Sequence, residues 1–253
     1  MFKNAIVRLP SQSMINGLSD ADLGSPDFDK ACLQHADYIE ALKECGLNVT
    51  VLESCEDFPD SCFVEDVALM TPSCAILTNP GALSRRGEVA HISAAVEQFY
   101  DNIEQITSPA TIEAGDIMMV GDHYYIGLSA RTNQQGAEQM IAILEKYNMT
   151  GSVVTLSEVL HLKTGLGYLE DNNLVACGEF LTKAEFQKYN IIEIDQSESY
   201  SANSVWINGT VLVPLGYPKA CAAIKSAGYK VREVDVCEFR KIDGGLSCLS
   251  LRF

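Results

Sequence analysis

Gly115-Asp116-Ile117-Met118-Met119-Val120-Gly121-Asp122-His123-Tyr124-Tyr125-Ile126-Gly127-Leu128 reads as two short apolar strands folded back at Gly121-Asp122. A helical pattern follows over about Gln134 to Tyr147, with Ala137, Met140, Ile141 and Leu144 at three- and four-residue spacing. The unit is therefore strand, strand, helix, and it recurs. Asp66–Met70 with Cys74–Thr78 precedes a helix expected over Glu88–Tyr100. Ser204–Ile207 with Thr210–Pro214 turns at Asn208-Gly209, a dipeptide suited to a type I′ hairpin, and precedes a helix from Pro218 to Gly228.

Each unit opens on a polar or small pair: Glu65-Asp66, Gly115-Asp116, Ala202-Asn203 and Gly244-Gly245. The spacing is irregular, but repetition of one supersecondary unit implies modules around a centre, with the strand starts converging on it. Outside these units, helices are expected over Asp27–Cys45 and near Lys183–Tyr189, and a strand over Leu47–Leu52. In the first helix Phe28, Cys32, Ala36, Ile39 and Leu42 form the apolar stripe. No Pro-, Gly- or Ser-rich linker divides the chain, so residues 1–253 read as one α/β domain.

Composition narrows the function. The chain has 253 residues, 47% hydrophobic and 21% charged, which excludes a disordered chain. A net charge of −16 disfavours phosphate backbones and anionic membrane surfaces, and favours cationic ligands. No apolar run is long enough for a membrane-spanning helix, and the N-terminus reads as a strand rather than a signal peptide. The nine cysteines are odd in number and form no C-x-x-C pair, which fits free thiols in a cytoplasmic protein.

The converging segments carry the chemistry. Phe58–Asp66 supplies Asp60, Glu65 and Asp66. Pro109–Asp116 supplies Glu113, Val159–Thr164 supplies His161, and Ile242–Leu251 supplies Cys248. Arg85 and Arg131 lie in loop segments. Taken singly, each has a plain structural role: core thiol, core histidine, turn carboxylate, surface charge. Together they suit one substrate. A Cys nucleophile, a His acid/base and a carboxylate to orient it can attack an electrophilic carbon. Further carboxylates pair with guanidinium N–H groups, and two arginines hold a carboxylate. A molecule with both ends is arginine or a derivative of it.

The segments Gln34-His35, Phe63–Asp66, Pro80–Glu88, Glu113–Ile117, Gly127–Asn133, Leu160–Thr164 and Lys241–Cys248 together resemble the dimethylarginine dimethylaminohydrolase family of the pentein superfamily, its bacterial members above all. The resemblance spans essentially the whole chain. It implies a pentein-type five-bladed α/β propeller of ββαβ modules with pseudo-fivefold symmetry. It implies hydrolysis of asymmetric dimethylarginine and monomethylarginine to citrulline and the methylated amine, through a covalent thiouronium on cysteine. By position Cys248 matches the nucleophile, His161 the general acid/base and Glu113 its partner carboxylate. Asp60, Glu65 and Asp66 match substrate-contacting carboxylates, and Arg85 and Arg131 the holders of the α-carboxylate. Leu18 and Ile242 match positions whose backbone carbonyls receive the α-amino group, and a lid is expected around Leu18, between Gly17 and Gly24. No metal or organic cofactor is implied, although a thiolate beside an imidazole can take zinc as an adventitious inhibitor. A monomer or homodimer acting on a small molecule is expected. The competing readings are an arginine deiminase-type hydrolase, an amidinotransferase and a non-catalytic binder.

Overall fold

The computed structural model describes residues 1–253. Its strands form five separate three-stranded sheets. In each, an antiparallel pair is followed by a crossover and a third strand parallel to the middle one. One module comprises Ile117–Val120, His123–Leu128 and Thr150–Thr155, with the helix Gln134–Lys146 as crossover. A second comprises Ala68–Met70, Ala75–Leu77 and Ile103–Gln105, crossed by Glu88–Val96. A third comprises Val205–Ile207, Thr210–Pro214 and Lys230–Val234, crossed by Pro218–Ser226.

The fourth was not legible as a repeat: Leu166–Tyr168, Asn173–Ala176 and Asn190–Glu193. The helix expected near Lys183–Tyr189 does not form there. Two 3₁₀ turns, Gly178–Leu181 and Ala184–Phe186, replace it. Lys183 between them is extended, and its Nζ is held by the Thr155 carbonyl at 2.7 Å and Glu179 at 2.8 Å, which interrupts helical progression. Phe180 and Phe186 bury their rings instead, at 6.1 Å centroid separation.

The fifth module joins the two chain ends. Leu251–Arg252 pairs antiparallel with Asn4–Arg8, which pairs parallel with Asn48–Leu52 across the helix Phe28–Glu44. That helix starts where Asp27 accepts a hydrogen bond from the Lys30 N–H at 3.0 Å, and gives way to Gly46 in the left-handed region. Its buried face is rotated from the expected stripe. Ala36 is exposed, whereas Ala31, Gln34, His35, Tyr38, Ile39 and Leu42 are buried. Buried Gln34 accepts from the Glu238 N–H at 3.1 Å and donates to Cys237 Sγ, so a polar residue occupies the core side. Asn208 and Gly209 both have positive φ, as the Asn-Gly hairpin requires.

The module openings position the site. A short 3₁₀ turn precedes the first strand of each module: Val64–Val67, Ala114–Asp116, Leu162–Thr164, Gln196–Ala202 and Ser247–Leu249. The first three and the last adjoin one another around the axis, and the turn over Gln196–Ala202 packs on Leu162–Thr164. Asp66 therefore sits in a turn rather than at the start of a strand, and the last opening lies at Ser247–Leu249, a few residues beyond Gly244-Gly245. Hydrophobic clusters fill the spaces between neighbouring modules. One joins Ile6 and Leu251 of the closing module to Val67, Val89 and Ile92 of the next.

Candidate active site

Four of these turns deliver the reactive groups. Cys248 lies in the turn Ser247–Leu249, its N–H donating to the Gly245 carbonyl at 3.2 Å. His161 immediately precedes the turn Leu162–Thr164, and its Nε2 is 3.0 Å from Glu113 Oε2. Glu113 Oε1 accepts the Ala82 N–H at 3.0 Å, which leaves the carboxylate little freedom to turn. Asp66 Oδ1 accepts the Gly115 N–H at 3.0 Å, while its Oδ2 pairs with Arg85 Nη1. One donor atom each from Asp66, Glu113 and His161 lies within 4.8 Å of the others; the Cys248 thiol stands outside that set.

Two contiguous cavities meet at His161 and Cys248. The smaller, about 140 Å³, is lined by Leu18, Asp60, Asp66, Arg85, Arg131 and Ile242, among others. The larger, about 410 Å³, extends under Asp20–Leu23 and past Tyr200 and Arg240. Asp60 Oδ1 accepts the Leu18 N–H at 3.0 Å and so anchors the loop over the smaller cavity. Ser19 Oγ donates to the Lys241 carbonyl at 2.8 Å, and the Asp20 N–H to Asp243 at 2.6 Å. These bonds hold the Leu18 segment against the residues preceding Cys248.

The two arginines differ. Arg131 is partly open, with Nη1 3.8 Å from Glu113. Arg85 is buried and heavily engaged, by Glu88 Oε2 at 2.8 Å, the Phe63 carbonyl at 2.9 Å and Asp66. It lines the cavity while bracing Asp66. Glu88 was not singled out from sequence; its signal was its place three residues after Arg85 at a helix start. Burial pushes its carboxyl up to about 7 even though Arg85 opposes the shift.

Glu65 turns a different way from Asp66. It does not line either cavity around Cys248. Its carboxylate is taken up by Lys163 at 2.6 Å, Ser247 Oγ at 2.7 Å and Arg252 at 3.1 Å, and it faces a separate cavity on the other side of the turns. Its effect on the site is electrostatic. Burial, then the charges of Glu65 and Asp66, push the Cys248 thiol up to about 12. Burial works against the His161 cation, but the Glu113 hydrogen bond and the charges of Asp116, Asp66 and Glu113 outweigh it, raising His161 to about 9. Burial likewise opposes ionisation of Glu113, and His161 overrides it, holding that carboxyl down to about 2. At neutral pH the resting site holds thiol, imidazolium and carboxylate.

A family model described as N,N dimethylarginine dimethylhydrolase, eukaryotic, matches residues 25–208. The N(G),N(G)-dimethylarginine dimethylaminohydrolase of Pseudomonas aeruginosa is 58% identical to the chain, and the match covers all of both. The chain belongs to the dimethylarginine dimethylaminohydrolase family. A relative of the same description from Streptomyces coelicolor is 31% identical, over 99% of this chain and 96% of its own. The crystal structure of a cysteine-to-serine mutant of the Pseudomonas family member, complexed with citrulline, superposes with a TM-score of 0.99 over the full length of both chains. Family membership accounts for the five ββαβ modules and the pentein fold.

Proposed function

We propose that residues 1–253 act as one catalytic domain that hydrolyses asymmetric dimethylarginine, and monomethylarginine, to citrulline and the methylated amine. The observation that carries the reading is the His161–Glu113 pair on the same cavity wall as Cys248 and Asp66. Full-length likeness to a family member crystallised with citrulline supports the same reaction.

The substrate's amino-acid end occupies the smaller cavity. Arg131 and Arg85 receive the α-carboxylate, and Asp60 with the carbonyls of Leu18 and Ile242 receives the α-amino group. Asp66 holds the guanidinium. Arrival of that cation offsets the negative charge around Cys248, so the thiol loses its proton to solvent as substrate binds. The thiolate attacks the guanidinium carbon. The bond to the methylated nitrogen breaks as His161, an imidazolium, gives that nitrogen its proton. Dimethylamine leaves neutral and a thiouronium remains on Cys248. His161, now neutral and oriented by Glu113, takes a proton from water. The oxygen adds to the same carbon, the C–S bond breaks as the hydroxyl proton passes to the departing sulfur, and citrulline leaves the restored thiol.

Every step uses groups of the chain and water, and none is assigned to a metal or organic cofactor. Zinc enters only as an adventitious inhibitor at Cys248. The charge and the small cavities fit a small cationic amino acid rather than nucleic acid or a membrane, and no helix is long and apolar enough to cross one. A cytoplasmic monomer or homodimer is the expected state.

A paired assay tests the reading. With a chelator present, asymmetric dimethylarginine should give citrulline and dimethylamine, and arginine little product. Citrulline mainly from arginine would reassign the chain to deiminase chemistry. Cys248→Ser should abolish turnover while retaining methylarginine binding.

A further inference from the structure

Asp116 takes no part in the steps above, yet its exposure is 0%, and its hydrogen bonds reach three parts of the site. Oδ2 accepts the hydroxyl protons of Ser129 and Thr132, each at 2.6 Å, and Oδ1 accepts the Leu162 N–H at 3.0 Å. The direction of the hydroxyl bonds is fixed by what those oxygens already accept. Ser129 Oγ takes the N–H groups of Arg131 at 3.0 Å and Thr132 at 3.2 Å, which fills both its lone pairs. Thr132 Oγ1 takes the Glu113 N–H at 3.2 Å. The Ser129 hydroxyl therefore has only its proton to give, and the carboxylate of Asp116, an acceptor only, takes the protons of both hydroxyls.

We infer that Asp116 is a positioning residue, which fixes Arg131 through Ser129, Glu113 through Thr132, and His161 through the Leu162 N–H. The inference rests on the roles proposed above for those three residues. One buried carboxylate then ties the group that receives the substrate's α-carboxylate to the acid/base pair that completes the reaction, so binding and proton transfer share one support. The need for two acceptor lone pairs on one oxygen makes the carboxylate hard to replace. An amide at this position keeps one acceptor for Leu162, but turns N–H toward a serine oxygen with no lone pair left. The charge also acts directly: the carboxylates facing His161 are Glu113, Asp66 and Asp116, and loss of one weakens the imidazolium.

Four variants separate these effects: Asp116→Asn, Ser129→Ala, Thr132→Val and Thr132→Ser. Each is measured for kcat, KM and the pH profile on asymmetric dimethylarginine, with a thermal melt alongside. Asp116→Asn should raise KM and lower kcat, each by about tenfold, and move the basic limb of the profile to lower pH. Ser129→Ala should raise KM and leave that limb in place. Thr132→Val should lower kcat, and Thr132→Ser, which restores the hydroxyl, should recover it. A purely structural role predicts lower melting temperatures with unchanged KM and unchanged pH limbs, and that result overturns the inference. Where Asp116→Asn does not fold, the Ser129 and Thr132 variants decide, and wild-type kinetics in all of them overturns it. An inactive wild-type protein would overturn the functional reading and this inference together; an active one with indifferent variants overturns this inference alone.

Discussion

The imidazole of His161 and the carboxylate of Glu113 are joined by a 3.0 Å hydrogen bond, Nε2 to Oε2, with Glu113 1% exposed. A buried carboxylate at that distance favours the charged imidazole, because neutralising His161 would leave an unpaired anion in a low-dielectric site. This is why His161 titrates near 9, well above the ordinary value of 6.5. The imidazolium is thus the resting state of the group proposed above to give up a proton first.

Replacing Glu113 with Gln keeps the shape and removes the charge. In the substrate complex the thiol is already ionised, so loss of the His161 proton sets the basic limb of kcat, and that limb should move to lower pH as the pKa falls from about 9 toward 6.5. With less imidazolium at neutral pH and a less fixed ring, kcat should fall on the order of a hundredfold. A pH series on Glu113→Gln and wild type checks both, and an unmoved basic limb would show that Glu113 does not set the protonation of His161.

The Cys248 thiol presents the opposite problem. Burial and the charges of Glu65 and Asp66 hold it up to about 12, so little thiolate exists at neutral pH without substrate. A bound cation should reverse part of that shift. Thiolate absorbance followed against pH, with and without a non-reacting guanidine analogue of the substrate, should show a lower midpoint in the complex. Identical titration curves would remove substrate-assisted ionisation from the mechanism.

Much of this site could be read from the chain because its groups lie at module openings, and the openings repeat. Asp66, Glu113 and Cys248 fall at or beside the quoted pairs or the segments around them, and the structure brings them together with His161. What the sequence could not show was which way a side chain turns. Glu65 and Asp66 are adjacent, but in a 3₁₀ turn they diverge: Asp66 faces Gly115 and Arg85, Glu65 faces Lys163 and Arg252. The fourth module escaped notice because its crossover is two 3₁₀ turns with no helical periodicity. The first helix was placed correctly but rotated, because Gln34 and His35 lie on its buried side, where a hydropathy stripe expects apolar residues.

Gly115 is required by the site rather than by its backbone angles. A Cβ there would lie 2.7 Å from Asp66 Oδ1 and 3.2 Å from His161 Cγ, so Gly115→Ala must displace the carboxylate, the ring or both. A loss of kcat/KM of tenfold or more is expected, with a stability cost of about 1–3 kcal/mol. Gly209→Ala is the contrasting case. It has open space around its Cβ but φ of +92°, so it should cost about 1 kcal/mol through strain and leave activity intact. Kinetics and thermal melts on the two variants check the contrast, and equal activity in both would mean that the Gly115 contact relaxes without consequence.

His35 should govern part of the acid sensitivity of the fold. Its ring is 1% exposed between Tyr38 and Phe239, and neither ring nitrogen has a hydrogen-bond partner. Burial lowers it from 6.5 to about 4. The unfolded chain therefore binds a proton at this residue below pH 6.5 that the folded chain refuses until about pH 4. The contribution to stability is present in full above 6.5 and is lost as pH falls through that window. At about 1.4 kcal/mol per pKa unit the loss amounts to roughly 3 kcal/mol by pH 4. His35→Leu removes the titrating group and the two unpaired nitrogens together. Its stability relative to wild type should rise steadily as pH drops from 7 to 4.5, read as the difference in denaturation midpoints of the two proteins. A difference that stays constant across that range would mean that His35 is solvated or hydrogen-bonded in the folded protein, and would assign the acid sensitivity to the buried carboxylates instead.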